Sequence, residues 1–309
     1  MIQNTDRFAG IFVAFYACYD GAGEIHTGRT QALARWTVER NVKGLYLTGS
    51  SGEGMMHSVE ERMKSVDAVM HAVGDRTTVV VHVGAASQRD AILLAKHAAD
   101  AGAHGVSSVP SIYYPLPEPL IEGYWDAIID AARLPFFIYN IPATTGYQLS
   151  LSLFETMIRK PYVAGVKTTS ESCTLIDSMR RAAGSDAVIF NGVDEQLLAG
   201  LIMGATGGIG GTYGCMPELY VRLWQDWKAG RIAEAQRWQE RVNIVKESAR
   251  QPSVTGIAVM KAILEAQGMP TGGVRLRCAA CPRICPLYAR QGRESNVGRL
   301  NDGQSSPTP

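Results

Sequence analysis

The sequence has almost no net charge. Its 309 residues include 30 lysines and arginines against 29 aspartates and glutamates, which leaves a net charge of +1. Such a balanced chain has no overall field that would attract nucleic acid, anionic lipid or a strongly charged partner. We therefore expect neither nucleic acid nor a membrane as a partner, and small neutral or weakly acidic ligands remain open.

Targeting signals are also missing. Residues 1–7 lack the basic flank of a signal peptide, and the apolar run over residues 10–18 is too short to span a bilayer. Three cysteines, Cys18, Cys173 and Cys215, lie far apart in apolar or helical surroundings, a pattern that predicts reduced thiols in the core. Together these features predict a cytoplasmic protein.

Metal ligands are scarce as well. The first 212 residues contain no grouping of histidine or cysteine with ligand spacing, so we expect neither a metal nor an organic cofactor. Cys278, Cys281 and Cys285 crowd the end of the chain, but a closed zinc site takes four ligands and no histidine lies nearby. Residues 274–309 have four prolines, six arginines and no periodicity, which predicts an irregular, disordered tail.

The sequence does contain a regular alternation of apolar runs of strand length with amphipathic stretches of helix length. Continuous apolarity within a run indicates a parallel strand that is covered on both faces. Ser58 and Glu61 form a capping box before one of the helical stretches. The predicted strands are residues 11–18, 44–47, 78–83, 105–109, 136–139, 163–167, 187–191 and 207–210.

Eight strands and eight helices in alternation close a barrel. We therefore predict an α/β fold, a (β/α)8 TIM barrel over residues 1–212, followed by a C-terminal helical appendix of the same domain over residues 213–273. In such a barrel the functional residues follow the carboxyl ends of the strands. The polar, hydroxyl-bearing and glycine residues at those ends are Ser50, Ser51, Tyr113, Tyr139, Lys167, Thr169, Gly192, Asp194, Glu195 and Gly211.

Lys167 ends the apolar run that begins at Val163. A buried ammonium without a partner costs several kcal/mol, so such a lysine loses its proton or finds an acid, and a neutral lysine is a nucleophile. Alternatively, its stem is buried and its head reaches water. The run alone leaves both interpretations open.

The neighbouring strand ends favour a nucleophile. Residues 49–52 form a Gly-Ser-Ser-Gly loop that suits a carboxylate, and Tyr139 ends the strand beside Lys167. A neutral lysine that attacks a keto-acid carbonyl, with a phenol that moves protons, describes a Schiff-base aldolase. A barrel that binds a keto acid or a partner protein without turnover is the alternative from a different class.

Several motifs resemble the dihydrodipicolinate synthase and N-acetylneuraminate lyase family of class I aldolases over residues 8–273. They are Gly44-Leu-Tyr-Leu-Thr-Gly-Ser-Ser-Gly-Glu53, Tyr139-Asn-Ile-Pro142 with Thr145-Gly146, Gly165-Val-Lys167, Asn191-Gly192 and Gly207-Gly-Ile-Gly210. Family members usually continue past residue 276 with a proline-containing connection and a packed helix. We interpret the different tail here as a replaced end.

The resemblance implies roles for individual residues. Lys167 would form the Schiff base with pyruvate and Tyr139 would transfer protons. Ser50 and Ser51 would bind the pyruvate carboxylate, and Ser51 would also relay protons to Tyr139. Tyr113 would complete that relay from a neighbouring subunit of a homotetramer, a dimer of dimers.

Within the family, the resemblance favours the lyase branch. Synthases typically carry an arginine where this chain has Thr144, and a hydroxyl cannot replace its charge-assisted binding. Thr169, Gly192, Asp194 and Glu195 resemble the sugar-binding residues of the lyases, although Gly211 replaces their usual serine. The implied reaction is reversible cleavage of a 2-keto-3-deoxy sugar acid, N-acetylneuraminate among the candidates, to pyruvate and an aldehyde. Dihydrodipicolinate synthesis and keto-acid hydration or dehydration are the alternatives.

Overall fold

The computed structural model describes residues 5–248 and 254–276. Eight parallel strands pair in chain order and β1 pairs with β8, so the sheet is a closed barrel and the predicted TIM barrel is confirmed. The strands are β1 Gly10–Ala14, β2 Gly44–Leu47, β3 Thr78–His82, β4 Gly105–Ser108, β5 Phe136–Asn140, β6 Val163–Thr168, β7 Val188–Asn191 and β8 Gly207–Gly210.

Helices follow the strands in alternation. The predicted capping box is present at the start of α2, where the Ser58 and Glu61 side chains each accept from the other's backbone N–H. The helices are α1 Thr27–Val38, α2 Val59–Val73, α3 Gln88–Asp100, α4 Glu118–Ala132, α5 Pro142–Thr145, α6 Leu151–Ile158, α7 Cys173–Ala183, α8 Leu197–Ile202, α9 Pro217–Lys228, α10 Ile232–Ser248 and α11 Gly256–Ala266.

Three consecutive α-helices follow β8 in the described part of the chain. Helix α9 follows β8 as the last helix of the barrel, and α10 and α11 lie beyond it. Helix α10 packs on α9 and reaches the short turn of helix that follows β7. Most of the predicted irregular tail, including Cys278, Cys281 and Cys285, lies outside the described residues.

Aromatic side chains fill the barrel interior. Phe12, Phe137 and Phe190 contact one another edge-on or tilted, with ring centroids 5.1 Å apart for Phe12 and Phe190 and 5.6 Å apart for Phe137 and Phe190. Phe8 covers Phe137 from the N-terminal side, with ring centroids 4.9 Å apart. Gly44 makes room for this packing, because a Cβ at its position would lie 2.2 Å from the Phe12 ring. The interior is therefore a packed core that leaves chemistry to the strand ends.

Strand β1 is shorter than the predicted run of residues 11–18. It ends at Ala14, and the following residues, Phe15, Tyr16 and Cys18, are buried in the separate cluster between strands and helices. Phe15 still donates its backbone N–H to Tyr46 O of β2 at 2.9 Å, whereas the apolarity of Tyr16 and Cys18 reflects packing under the helical layer. In the part of the chain that the structure describes, we find no helix with the length and apolarity needed to cross a membrane.

Candidate active site

Lys167 and Tyr139 lie side by side inside the barrel. They are register partners on β5 and β6, and paired residues of parallel strands point to the same side of the sheet. Lys167 is 4% exposed and Tyr139 is 3% exposed. Among residues 5–248 and 254–276, no carboxylate lies within ion-pair distance of Lys167. Because the Lys167 side chain is buried, the alternative in which its amine reaches water is wrong.

Two aromatic rings enclose the Lys167 amine. Its Nζ atom lies 4.0 Å from the centroid of the Tyr139 ring and 4.6 Å from that of the Tyr46 ring. A desolvated cation over such rings gains about 2 kcal/mol. The slot formed by Tyr46 and Tyr139 therefore stabilises positive charge at Nζ, whether the charge belongs to an ammonium or to an iminium formed from it.

The Tyr139 phenol is poised to give up its proton. Burial alone would raise its pKa, but the Lys167 ammonium and the Ser50 hydroxyl outweigh that effect and hold the pKa of Tyr139 below its usual value. The Ser50 Oγ lies 3.5 Å from the Tyr139 Oη. Tyr139 therefore differs from Tyr46, whose pKa is raised well above the usual value by burial and by the nearby Tyr139.

Residues 48–53 form the loop that follows β2, here called the β2 loop. Its two serines face different neighbours. Ser50 contacts Tyr139, whereas a Cβ added to Gly211 would lie 3.2 Å from the Ser51 Oγ, which places Ser51 beside the β8 end. The resemblance assigns the relay to Ser51, and the structure instead places Ser50 against the phenol. The loop is tightly folded, with Glu53 N–H donating to Ser50 O at 3.0 Å.

The ends of β6 and β7 meet at Thr169 and Gly192. The Thr169 Oγ1 atom is buried, and the Thr169 side chain helps to hold the pKa of Tyr139 below its usual value. A Cβ at Gly192 would lie 2.2 Å from this oxygen, so only glycine allows the two loops to approach so closely. The Thr169 hydroxyl therefore lies beside the Tyr139 phenol, where the ends of β6 and β7 meet.

The two acidic residues after β7 are engaged within the protein. The Asp194 carboxylate accepts from Gly211 N–H at 3.2 Å, from Thr212 N–H at 2.8 Å and from the Thr212 hydroxyl at 2.7 Å. Glu195 pairs with Lys246 of α10. Asp194 therefore holds the β8 loop in place, which differs from the predicted direct role in binding, and Glu195 links the site to the C-terminal helices.

Tyr113 projects from the loop after β4. Its ring is 87% exposed and packs edge-on against Tyr114, with centroids 5.0 Å apart. Its backbone has a φ of 85°, a left-handed conformation that is rare for an aromatic residue. Tyr113 therefore extends outward from the chain, away from Lys167 and Tyr139.

Two further residues belong to the site, Tyr46 and His82, and both lie within predicted strands and not after their ends. The edge of the His82 ring packs against Tyr139, with centroids 5.8 Å apart. Its Nδ1 lies 3.2 Å from Thr48 O, and its Nε2 lies 3.3 Å from the Val109 nitrogen, which donates to it. A neutral ring that is protonated on Nδ1 satisfies both contacts.

Electrostatics keep His82 neutral. Burial lowers its pKa well below the usual value, and the cations Arg62 and Lys167 lower it further. Buried Arg62 donates to His82 O at 2.6 Å and to Gly84 O at 2.9 Å. His82 therefore acts as a fixed support that joins the β2 and β4 ends behind Tyr139. The predicted third strand extends through Val83 and so includes His82 in its interior, whereas β3 ends at His82.

Fold and site together define a class of protein. A lysine without a carboxylate partner and a phenol with a lowered pKa lie at the carboxyl end of a closed barrel, beside a loop that carries two hydroxyls. Groups of these types can form and break an imine and transfer protons. The protein is a carbon–carbon lyase of the Schiff-base, or class I, aldolase type.

Comparison with known proteins gives the family. The pattern of the dihydrodipicolinate synthetase family matches residues 7–279, and the chain belongs to this family. An N-acetylneuraminate lyase from Mediterraneibacter gnavus is 41% identical over 276 residues, which are 89% of this chain and 88% of that protein. The predicted resemblance is thus confirmed.

Two solved structures share the fold. A catalytic lysine mutant of the Ruminococcus gnavus sialic acid aldolase superposes with a TM-score of 0.91 and is 37% identical, covering 97% of this chain and 100% of that one. CdNal from Clostridium difficile, solved in complex with mannosamine, superposes with a TM-score of 0.84 and is 26% identical, covering 94% of this chain and 98% of that one.

Proposed function

We propose that the protein reversibly cleaves N-acetylneuraminate to pyruvate and an N-acetylated amino sugar, through a Schiff base on Lys167. The single observation that carries the proposal is the buried Lys167 amine, enclosed by Tyr139 and Tyr46. The names of the Mediterraneibacter gnavus and Ruminococcus gnavus relatives support the sugar acid as the substrate. The mannosamine complex of CdNal supports an amino sugar as the second product.

Cleavage begins at the ketone of the substrate. The Lys167 ammonium gives up a proton, the resulting amine adds to the C2 carbonyl, and that proton leaves with the hydroxyl of the carbinolamine as water, so an iminium cation remains on Nζ. The slot formed by Tyr46 and Tyr139 stabilises this cation and excludes bulk water. The iminium is an electron sink next to C3, so the bond between C3 and C4 becomes the weak bond of the substrate.

Bond cleavage requires a base at the C4 hydroxyl. The Tyr139 phenolate takes that proton, the C4–O bond becomes a carbonyl, and the electrons of the C3–C4 bond move into the iminium to give an enamine. Tyr139 then returns the proton to C3. Water hydrolyses the iminium, which releases pyruvate and regenerates the Lys167 amine.

Binding of the two substrate halves involves separate loops. The hydroxyls of Ser50 and Ser51 bind the pyruvate carboxylate, as small loops with free donors do. Thr169, Gly192 and Glu195 contact the sugar chain, and Asp194 positions Gly211 for the same purpose. The exposed Tyr113 reaches the site of a neighbouring subunit in a homotetramer, where it joins the proton relay of Ser50 and Tyr139.

Structural features disfavour dihydrodipicolinate synthesis. The Thr144 hydroxyl donates to Ile141 O at 3.3 Å within the short helix α5, so no cation stands at the position that the synthases use for their second carboxylate. A carboxylate without a charge-assisted partner loses about 1.5–3 kcal/mol of binding.

The substrate assignment is tested by measuring pyruvate release from N-acetylneuraminate and from simpler 2-keto-3-deoxy sugar acids. We expect N-acetylneuraminate to have the highest kcat/KM, and we expect no condensation of pyruvate with aspartate semialdehyde. Greater activity on a simpler acid would reassign the sugar but keep the chemistry. Loss of water without release of pyruvate would replace the lyase with a dehydratase.

Substituting Gly211 with serine should strengthen binding of the sugar. Gly211 has an ordinary right-handed backbone with φ −71° and ψ −40°, and the new Cβ would lie 3.2 Å from the Ser51 Oγ, a contact that a small rotation of Ser51 relieves. One added hydrogen bond is worth about 1 kcal/mol, so KM for N-acetylneuraminate should fall about fivefold with kcat unchanged. Steady-state kinetics measure this change. Gly211→Ala is the matched control, and an equal fall in its KM would show that the hydroxyl is not responsible.

A further inference from the structure

A buried ion pair lies next to the β2 loop, which carries Ser50 and Ser51. The Lys261 Nζ of α11 lies 2.5 Å from the Glu53 Oε1, and the two side chains are 1% and 3% exposed. Breaking such a pair leaves an uncompensated charge in the protein interior. This pair is distinct from the residues that contact the substrate.

The same pair binds the segment that follows α11. Lys261 also donates to Gly273 O at 2.6 Å, and Arg275 N–H donates to the second Glu53 oxygen at 2.7 Å. The Arg275 guanidinium in turn pairs with Glu61 of α2. Residues 271–275 are therefore held against the β2 loop from the outside of the barrel.

An aromatic residue completes the arrangement. Tyr19 is fully buried, and its ring centroid lies 4.4 Å from the Lys261 Nζ and 5.0 Å from the Arg275 Cζ. Tyr19 N–H donates to Thr271 O at 2.8 Å. The cations, the ring and the backbone of the segment thus form one connected unit, which is buried at Lys261 and Tyr19 and half-buried at Arg275.

Glu53 belongs to the loop that carries Ser50 and Ser51. Its backbone N–H donates to Ser50 O at 3.0 Å, and the next residue, Gly54, donates to Gly49 O at 3.1 Å. Glu53 has a φ of 53°, a left-handed conformation that a glutamate adopts only when its surroundings impose it. A displacement of the Glu53 side chain therefore acts directly on the backbone of Ser50 and, through Gly54, on that of Gly49.

We propose that Lys261 and the segment 271–275, acting through Glu53, are positioning elements that set the Ser50–Ser51 loop for the carboxylate of the keto acid. This inference rests on the proposed function, in which that loop binds pyruvate. Lys261, Glu53 and Arg275 do not touch the substrate. They determine how well the loop selects a carbonyl compound that carries a carboxylate.

The test compares two carbonyl compounds that form an imine on Lys167. Pyruvate carries the carboxylate, and acetone lacks it. Each is incubated with the full-length enzyme and sodium borohydride, and the fraction of trapped protein is measured by intact mass against the concentration of the compound. The variants are Lys261→Met and the double variant Glu53→Gln/Lys261→Met, which leaves no unpaired buried charge. Thermal unfolding of each variant is followed by circular dichroism.

Lys160→Met is the matched control. It removes a lysine that pairs with Glu122 and Asp126 on the outer helical layer, at 2.6 Å and 2.7 Å, away from the β2 loop. We expect this variant to trap both compounds as the wild-type enzyme does. In the folded double variant, the pyruvate concentration for half-maximal trapping should rise about tenfold or more, the effect of one lost charge-assisted contact. Trapping by acetone should change less than twofold.

Different failures have different meanings. An unchanged pyruvate requirement in the folded double variant would overturn the inference. A parallel loss of pyruvate and acetone trapping would also overturn it, because that result describes general damage to the site. A wild-type enzyme that traps neither compound would refute the proposed function itself, and the inference with it.

Discussion

Replacing Lys167 with methionine is expected to lower the rate of pyruvate release by a factor on the order of 10⁴–10⁶, the loss seen when a catalytic nucleophile is removed. Methionine matches the length of the lysine stem and keeps the slot between Tyr46 and Tyr139 filled. No imine can then form, so trapping with pyruvate and borohydride should disappear. Steady-state rates and peptide mass spectrometry of the trapped wild-type enzyme measure the two effects.

The control for this substitution is again Lys160→Met, which changes the same residue types outside the site. Retention of more than a hundredth of the wild-type rate in Lys167→Met would contradict the proposed mechanism. An adduct found on another lysine of the wild-type enzyme would move the nucleophile elsewhere. Neither result would change the fold.

Replacing Tyr139 with phenylalanine should lower kcat by about 10²–10⁴-fold, the usual contribution of a positioned acid or base. The ring remains, so its packing against Lys167 and His82 is kept and only the phenol is lost. Imine formation needs Lys167 more than it needs Tyr139, so borohydride trapping should persist while turnover falls. A parallel loss of trapping and turnover would show that the phenol acts before bond cleavage.

The lowered pKa of Tyr139 gives the same substitution a spectroscopic readout. Because Lys167 and Ser50 favour the phenolate, Tyr139 ionises at a lower pH than an ordinary tyrosine, and absorbance near 295 nm should rise early in an alkaline titration. That early rise should be absent from Tyr139→Phe. In Lys167→Met it should shift to higher pH, because the cation that stabilises the phenolate is gone. An early rise that persists in Tyr139→Phe would assign it to another residue.

Much of the barrel could be predicted from the sequence because the interactions that specify its strands and helices are between residues close together in the chain. Continuous apolar runs require cover on both faces, and a capping box such as that of Ser58 and Glu61 marks where a helix begins. The position of Tyr139 beside Lys167 could also be predicted from the order of the strands in the chain. Consecutive strands of a barrel are neighbours, and both residues lie near strand ends.

Other parts of the site depend on contacts that no local pattern encodes. Glu53 and Lys261 meet across 208 residues of sequence, and each looks like an ordinary surface charge in its own segment. Tyr46 lies in the middle of β2, where alternation places it inside the barrel only once the register with β1 is known. Whether Ser50 or Ser51 faces the phenol depends on a tight turn with unusual backbone angles. Tertiary packing determines all three.

The packed aromatic core below the site has a kinetic meaning. Since Phe12, Phe137 and Phe190 fill the barrel beneath the strand ends, both halves of the substrate approach Lys167 from the side of the strand ends. The keto-acid half is bonded to Lys167 at the buried end. We infer that the aldehyde departs first during cleavage and that pyruvate enters first during synthesis. Product-inhibition kinetics test this order, and a pattern typical of random product release would refute it. The architecture of the barrel thus determines the order in which the two products leave as well as the place where they form.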